Sequence, residues 1–176
     1  FFFQVMVQLY CICAVWGEPL SQTAQSFMPE LIYGPKPNPQ KVQNLLKSLI
    51  VIGTMSGLIL GSIGISLPWL LPGLFSPDPE VISQMRMVSI PFFTALCLAP
   101  PINCLEGTLM AGRELKFLSI SMSGIACLST LLLMVLSGNG YGLQGCWVAL
   151  VAFQLSLFSV LLARLVLPNG NGMLYS

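Results

Sequence analysis

The chain has 176 residues, 55% of them hydrophobic and 7% charged, with a formal net charge of +1 and a mean hydropathy of +0.84. A soluble domain carries roughly a quarter charged residues, so this is a membrane protein whose first partner is the lipid bilayer, and the near-neutral charge gives no ground for a nucleic-acid partner. Histidine is absent, which removes Ser-His and Cys-His nucleophile systems and the usual zinc sites, so no enzyme activity, metal or cofactor is expected.

Five candidate spans follow one another at about 1–33, 45–74, 81–111, 117–136 and 143–167, each reaching the roughly 20 residues that a crossing helix needs. Turn-forming stretches rich in Gly, Pro and Asn, or in charge, separate them at 34–39, 76–80, 112–116 and 137–142. Strands of a membrane barrel are about ten residues long, half the length of these runs or less. The sequence therefore predicts an all-α membrane protein with one transmembrane domain over 1–176. The chain opens inside a span and the span count is odd, so a fragment of a longer protein is expected, the alternative being a mature chain cleaved at Phe1.

The first span concentrates the polar chemistry. Gln4, Gln8, Cys11, Glu18, Gln22 and Gln25 recur at steps of three, four or seven and share a helix face, which Ser21, Thr23 and Ser26 widen. A bare carboxylate in hydrocarbon costs at least about 2.5 to 3.5 kcal/mol, so Glu18 is expected to face protein or water and to mark a pathway. It can hold a proton instead of a charge, as a coupling site requires, and Pro19 beside it is expected to kink the axis and act as a hinge. Two plainer readings stay open: a Glu18 paired for structure, and glutamines that join helices through hydrogen bonds of about 0.6 to 2 kcal/mol each. Glu30, near Tyr33, reads as an interfacial charge.

In the second span Gly53, Gly57, Gly61 and Gly64 form a small-residue ladder suited to close helix packing, and the amphipathic stretch 42–49 ahead of it is expected at the interface. The third span carries Asn103 and Glu106 on one face, after the consecutive Pro100 and Pro101. These prolines are expected to interrupt the helix, act as a hinge and expose carbonyls, as in the broken helices of transporter sites. Counted from the turns that end their spans, Glu106 lies about 9 Å deep and Glu18 about 24 Å, which predicts that the two carboxyls stand at different levels. Trp69 and Trp147 read as interface anchors, and the six cysteines as small packing residues. Lys36, Lys41, Lys47, Arg113, Lys116 and Arg164 fall on one side of such a topology and Arg86 on the other, so the start is placed outside and the tail inside.

Four stretches, 17–30 (GEPLSQTAQSFMPE), 74–81 (LFSPDPEV), 105–117 (LEGTLMAGRELKF) and 141–147 (YGLQGCW), resemble plant multidrug and toxic compound extrusion (MATE) transporters, in particular the plastid DETOXIFICATION and enhanced-disease-susceptibility-like branch. The resemblance implies that the five spans are helices eight to twelve of a twelve-helix exporter and form most of its C-terminal six-helix lobe. The N-terminal lobe of the same protein would then be a partner.

It further implies a chloroplast-envelope antiporter moving xenobiotics, small organic solutes or anions, salicylate-like ones included, with H⁺ or Na⁺ as coupling ion. Glu18 and Glu106 become candidates for the ion-coupling or substrate cleft, with Gln22, Gln25 and Asn103 beside them. The chain departs from the pattern at Ala99, near which many plant relatives carry an acid. The alternative function is a non-transporting truncated or structural membrane protein.

Overall fold

The computed structural model describes residues 2–35, 38–70, 83, 87–138, 140 and 142–166, without the side chains of Phe2, Phe3, Val5, Leu9, Cys13, Leu67, Pro68, Trp69 and Leu143. Lys36, Arg86, the segment 71–82 and the anchor side chain of Trp69 therefore lie outside the described residues. The helices are α1 (Phe2–Val15), α2 (Glu18–Tyr33), α3 (Pro39–Leu70), α4 (Ser89–Ala111), α5 (Leu115–Gly138) and α6 (Gly142–Val166). Among the described residues four helices are long and apolar enough to cross a membrane: 39–66 of α3, α4, α5 and 144–166 of α6.

The first predicted span is two helices, of 14 and 16 residues. Helix α1 closes where the Gly17 N–H donates to the Ala14 carbonyl at 3.0 Å, and α2 opens with the Leu20 and Ser21 N–H groups on the Gly17 carbonyl. Pro19 sits in the first turn of α2, where a missing N–H costs nothing, so the break falls at Trp16–Gly17, just before the proline. At the far end of α2 the chain turns sharply. Asn38 caps α3 by accepting from the Lys41 N–H through Oδ1 at 3.2 Å, and Pro39 takes the first helical position. Helix α3 thus begins earlier than predicted, and the amphipathic stretch 42–49 is part of it, with Val42, Leu46 and Leu49 buried and Lys41 and Lys47 exposed.

Helix α4 is the axis of the bundle. Buried residues lie all round it, including Phe92, Leu96, Ile102, Cys104, Leu105 and Leu109. The glycine ladder of α3 runs antiparallel along it, Gly53 against Pro101 and Cys104, Gly57 against Cys97, Gly61 against Phe93 and Gly64 against Leu96. A methyl group at Gly57 would sit 2.6 Å from the Cys97 carbonyl oxygen.

That contact explains why Pro100 and Pro101 do not interrupt α4, contrary to the sequence expectation: the helix runs unbroken from Ser89 to Ala111. Pro101 cannot donate to Cys97, and the backbone of Gly57 lies against the freed carbonyl. The thiols of Cys97 and Cys104 donate in turn to the Gly57 and Leu49 carbonyls of α3, at 3.7 and 3.4 Å. Cys97 and Cys104 pack as expected, whereas Cys11 and Cys127 are exposed.

Helix α6 runs parallel to α4 and buries Leu157, Leu161 and Leu165 at a spacing of four. Trp147 is a core residue with 2% of its surface exposed, not an interface anchor: its ring packs edge-on against Phe92 at 5.2 Å. Helix α5 is peripheral, with Leu118 buried and Ile120, Leu128, Leu131, Met134 and Val135 exposed, as suits hydrocarbon.

One end of the bundle is fastened by polar contacts. Tyr33 donates to the Gly112 carbonyl at 2.9 Å. Arg113, with φ of 60°, lies over the Tyr33 ring, and Arg164 grips both oxygens of Glu114 at 3.0 Å. A charge-assisted contact of this kind is stronger than a neutral hydrogen bond.

In the full-length protein, Gly57→Ala is expected to cost about 1 to 3 kcal/mol, because backbone must move to admit the methyl group. Gly124→Ala, at a position with nothing within 4 Å, is expected to lose none. Thermal unfolding of the two variants checks the contrast.

Candidate functional site

Helices α2 and α4 touch through two glycines. A methyl group at Gly17 would lie 2.6 Å from Asn103 Nδ2 and 3.0 Å from Pro100 Cα, and one at Gly107 would lie 2.6 Å from the Ser21 carbonyl oxygen. Position 17 therefore stands opposite 100–103 and position 21 opposite 107, so the two helices run parallel. Ala24 and Met28 continue the buried edge of α2.

The direction of the two carboxyls follows from this register. Glu18 comes one residue after Gly17, about 100° further round α2, and Glu106 one residue before Gly107, about 100° back round α4. For parallel right-handed helices in contact, those opposite rotations lead to the same side of the seam. Gln22 and Gln25 lie on that side of α2 by the same count, and Asn103 borders it on α4. Glu18, Gln22 and Gln25 are exposed, and Asn103 and Glu106 half-buried. The predicted residues are thus brought together along one flank of the α2–α4 seam.

Their levels are closer than the residue count suggested. Glu18 stands near Asn103 and Glu106 near Ser21, a separation of about three residues, or about 4.5 Å along the axes. The count from the turns failed because α2 and α4 do not end together: Tyr33 reaches Gly112 with its long side chain, while sixteen residues separate Gly17 from Tyr33 and nine separate Asn103 from Gly112.

Around the carboxyls the polar side chains of α2 bond mostly within their own helix. Gln25 Nε2 donates to Ser21 Oγ at 3.2 Å, Thr23 Oγ1 to the Pro19 carbonyl at 2.7 Å and Ser26 Oγ to the Gln22 carbonyl at 2.8 Å. Neither Glu18 nor Glu106 forms an ion pair among the described residues. A carboxyl so placed can exchange a proton or accept a cation without breaking an existing bridge. Pro19 and the Pro100–Pro101 pair lie at the Gly17 contact, where α1 gives way to α2.

The sequence reading missed the positioning role of Gly17 and Gly107. A signal was present: each glycine is the immediate neighbour of a carboxyl, in Gly17-Glu18 and Glu106-Gly107.

The chain is 53% identical over 167 residues, 95% of its length, to Protein DETOXIFICATION 47, chloroplastic, of Arabidopsis thaliana, a MATE family protein. It spans 31% of the length of that relative. No family model and no solved structure matches the chain. Identity at this level along nearly the whole chain, with an all-helical membrane fold, shows that the chain belongs to the multidrug and toxic compound extrusion (MATE) family.

Proposed function

We propose that this chain supplies the C-terminal part of a cation-coupled antiporter that exports small organic solutes or anions, with salicylate-like aromatic acids as the candidate class. MATE proteins are transporters rather than enzymes, and the Arabidopsis relative is named as a chloroplastic protein. By this relationship the present chain is assigned to a chloroplast membrane. Since it spans 31% of its relative's length, the rest of the cleft is contributed by an N-terminal lobe.

The observation that carries the reading is the gathering of Glu18, Gln22, Gln25, Asn103 and Glu106 on one flank of the α2–α4 seam, in a bundle whose helices α3 to α6 are long and apolar enough to cross a membrane. Polar side chains exposed from such a bundle must face water or protein, because hydrocarbon offers them no partner. A cleft wall is the arrangement that uses all five. Glu106, half-buried, is the coupling candidate: proton or Na⁺ uptake neutralises it and release restores a charge that an organic anion would avoid. Glu18, more open to the cleft, would guide the ion to it. The glutamines and Asn103 offer both donors and acceptors and suit a solute that carries both a carboxylate and a hydroxyl.

In the full-length protein reconstituted in vesicles, Glu106→Gln is expected to reduce gradient-driven salicylate transport at least about tenfold, in line with the loss of an essential acid-base group. Imposing H⁺ and Na⁺ gradients separately identifies the ion. Unchanged driven transport in both Glu106→Gln and Glu18→Gln would remove the carboxyls from coupling. Independently, single cysteines at positions 18, 22, 25 and 106 are expected to react with a water-soluble maleimide, whereas Leu128→Cys and Leu131→Cys on the outer face of α5 are expected to stay protected by lipid.

A further inference from the structure

One buried polar cluster lies outside the carboxyl-bearing flank. Gln154, in the middle of α6 and 4% exposed, donates from Nε2 to the Tyr10 hydroxyl of α1 at 2.8 Å. Trp147 lies two turns earlier on the same face of α6, and its ring meets that of Tyr10 edge-on, centroids 6.1 Å apart at 74°. Met6, one turn before Tyr10 and 1% exposed, completes the contact by packing with Val88, Phe92, Leu96 and Trp147.

These contacts, together with the packing of Met6 on α4, hold α1 against the bundle. Helix α2 is clamped to α4 at Gly17 and Gly107 and buries Ala24 and Met28. Helix α1 lies beyond the Trp16–Gly17 break, across which the regular helical ladder does not run. Gly17 is pinned against Pro100 and Asn103, so the break is a fixed pivot with α1 as the arm.

The polar cluster is only partly satisfied. Trp147 Nε1 and Gln154 Oε1 are buried and have no hydrogen-bond partner among the described residues. Buried unpaired groups disfavour the closed arrangement, while the Tyr10 bond and the ring contacts favour it. Separation of α1 from α6 would release both orphaned atoms to find partners that the closed arrangement denies them. Opposing terms of that kind make a contact that holds without locking.

We propose that α1 is a pivoting half-helix, hinged at Trp16–Gly17 and latched to α6 by the Tyr10–Gln154 hydrogen bond and the Trp147 ring. Its swing carries the exposed Gln4 and Gln8 with it and opens the Met6 layer, while α2 and its carboxyl stay seated on α4. The device does not depend on which solute or ion the protein carries.

The test is thiol labelling of the full-length protein in lipid vesicles, read at each site by peptide mass spectrometry. Met6→Cys, buried under the closed latch, reacts with a water-soluble maleimide when α1 swings out. Adding Tyr10→Phe, which keeps the ring and removes the hydroxyl, is expected to speed labelling at position 6 about two- to tenfold, the range set by one net hydrogen bond. Labelling of Met28→Cys, buried on the clamped α2, is expected to be unaffected by Tyr10→Phe. An unchanged rate at position 6 overturns the latch. Equal acceleration at positions 6 and 28 also overturns it, because that describes general loosening rather than a pivot.

Discussion

The bundle depends on how closely other backbones can approach α4. A helix with two consecutive prolines leaves carbonyls without their helical donors, and in an apolar interior such groups need another partner. Helix α3 meets this need by presenting glycines, so that its backbone reaches the Cys97 carbonyl and the thiols of Cys97 and Cys104 bond back to α3. The prolines and the glycine ladder are therefore one feature, split between two helices. A side chain at Gly57 would separate the helices and leave the proline turn uncovered.

The same close approach positions the polar flank. Gly17 and Gly107 let α2 lie directly on α4 in parallel, and the parallel register turns the neighbouring carboxyls to one side. Had the helices run antiparallel, the same two sequence neighbours would have pointed to opposite sides. On the proposed reading, the cleft wall is thus a consequence of packing geometry. The apolar contacts of Ala24, Met28, Ile102 and Leu105 form the rigid backing, and the carboxyls stand at its edge, where charge and solvation can change without disturbing the core. Across the Trp16–Gly17 break, α1 has a different kind of contact, the apolar Met6 layer and one partly satisfied polar cluster in place of a glycine clamp.

Much of the fold class was legible because long apolar runs separated by Gly, Pro and charge leave few alternatives in a membrane. The shared face of Glu18, Gln22 and Gln25 was legible too, since helical period alone sets it. What escaped was non-local. Continuity of α4 through Pro100 and Pro101 depends on a glycine more than forty residues away in sequence. The burial of Trp147 depends on Phe92 and Tyr10 from two other helices, and the pairing of Tyr10 with Gln154 spans 144 residues. The relative level of Glu18 and Glu106 was misjudged because depth was counted from turns that do not share a plane.

Glu18 and Glu106 stand on one side of the α2–α4 seam at nearly the same level. Cross-linking of paired cysteines in the full-length protein with a short bifunctional thiol reagent measures that proximity. Glu18→Cys is predicted to cross-link to Glu106→Cys, and not to Leu105→Cys, whose position adjoins 106 but is turned about 100° round α4 from it and is fully buried. A cross-link at 105 in place of 106, or none at 106, would contradict the parallel register of α2 and α4.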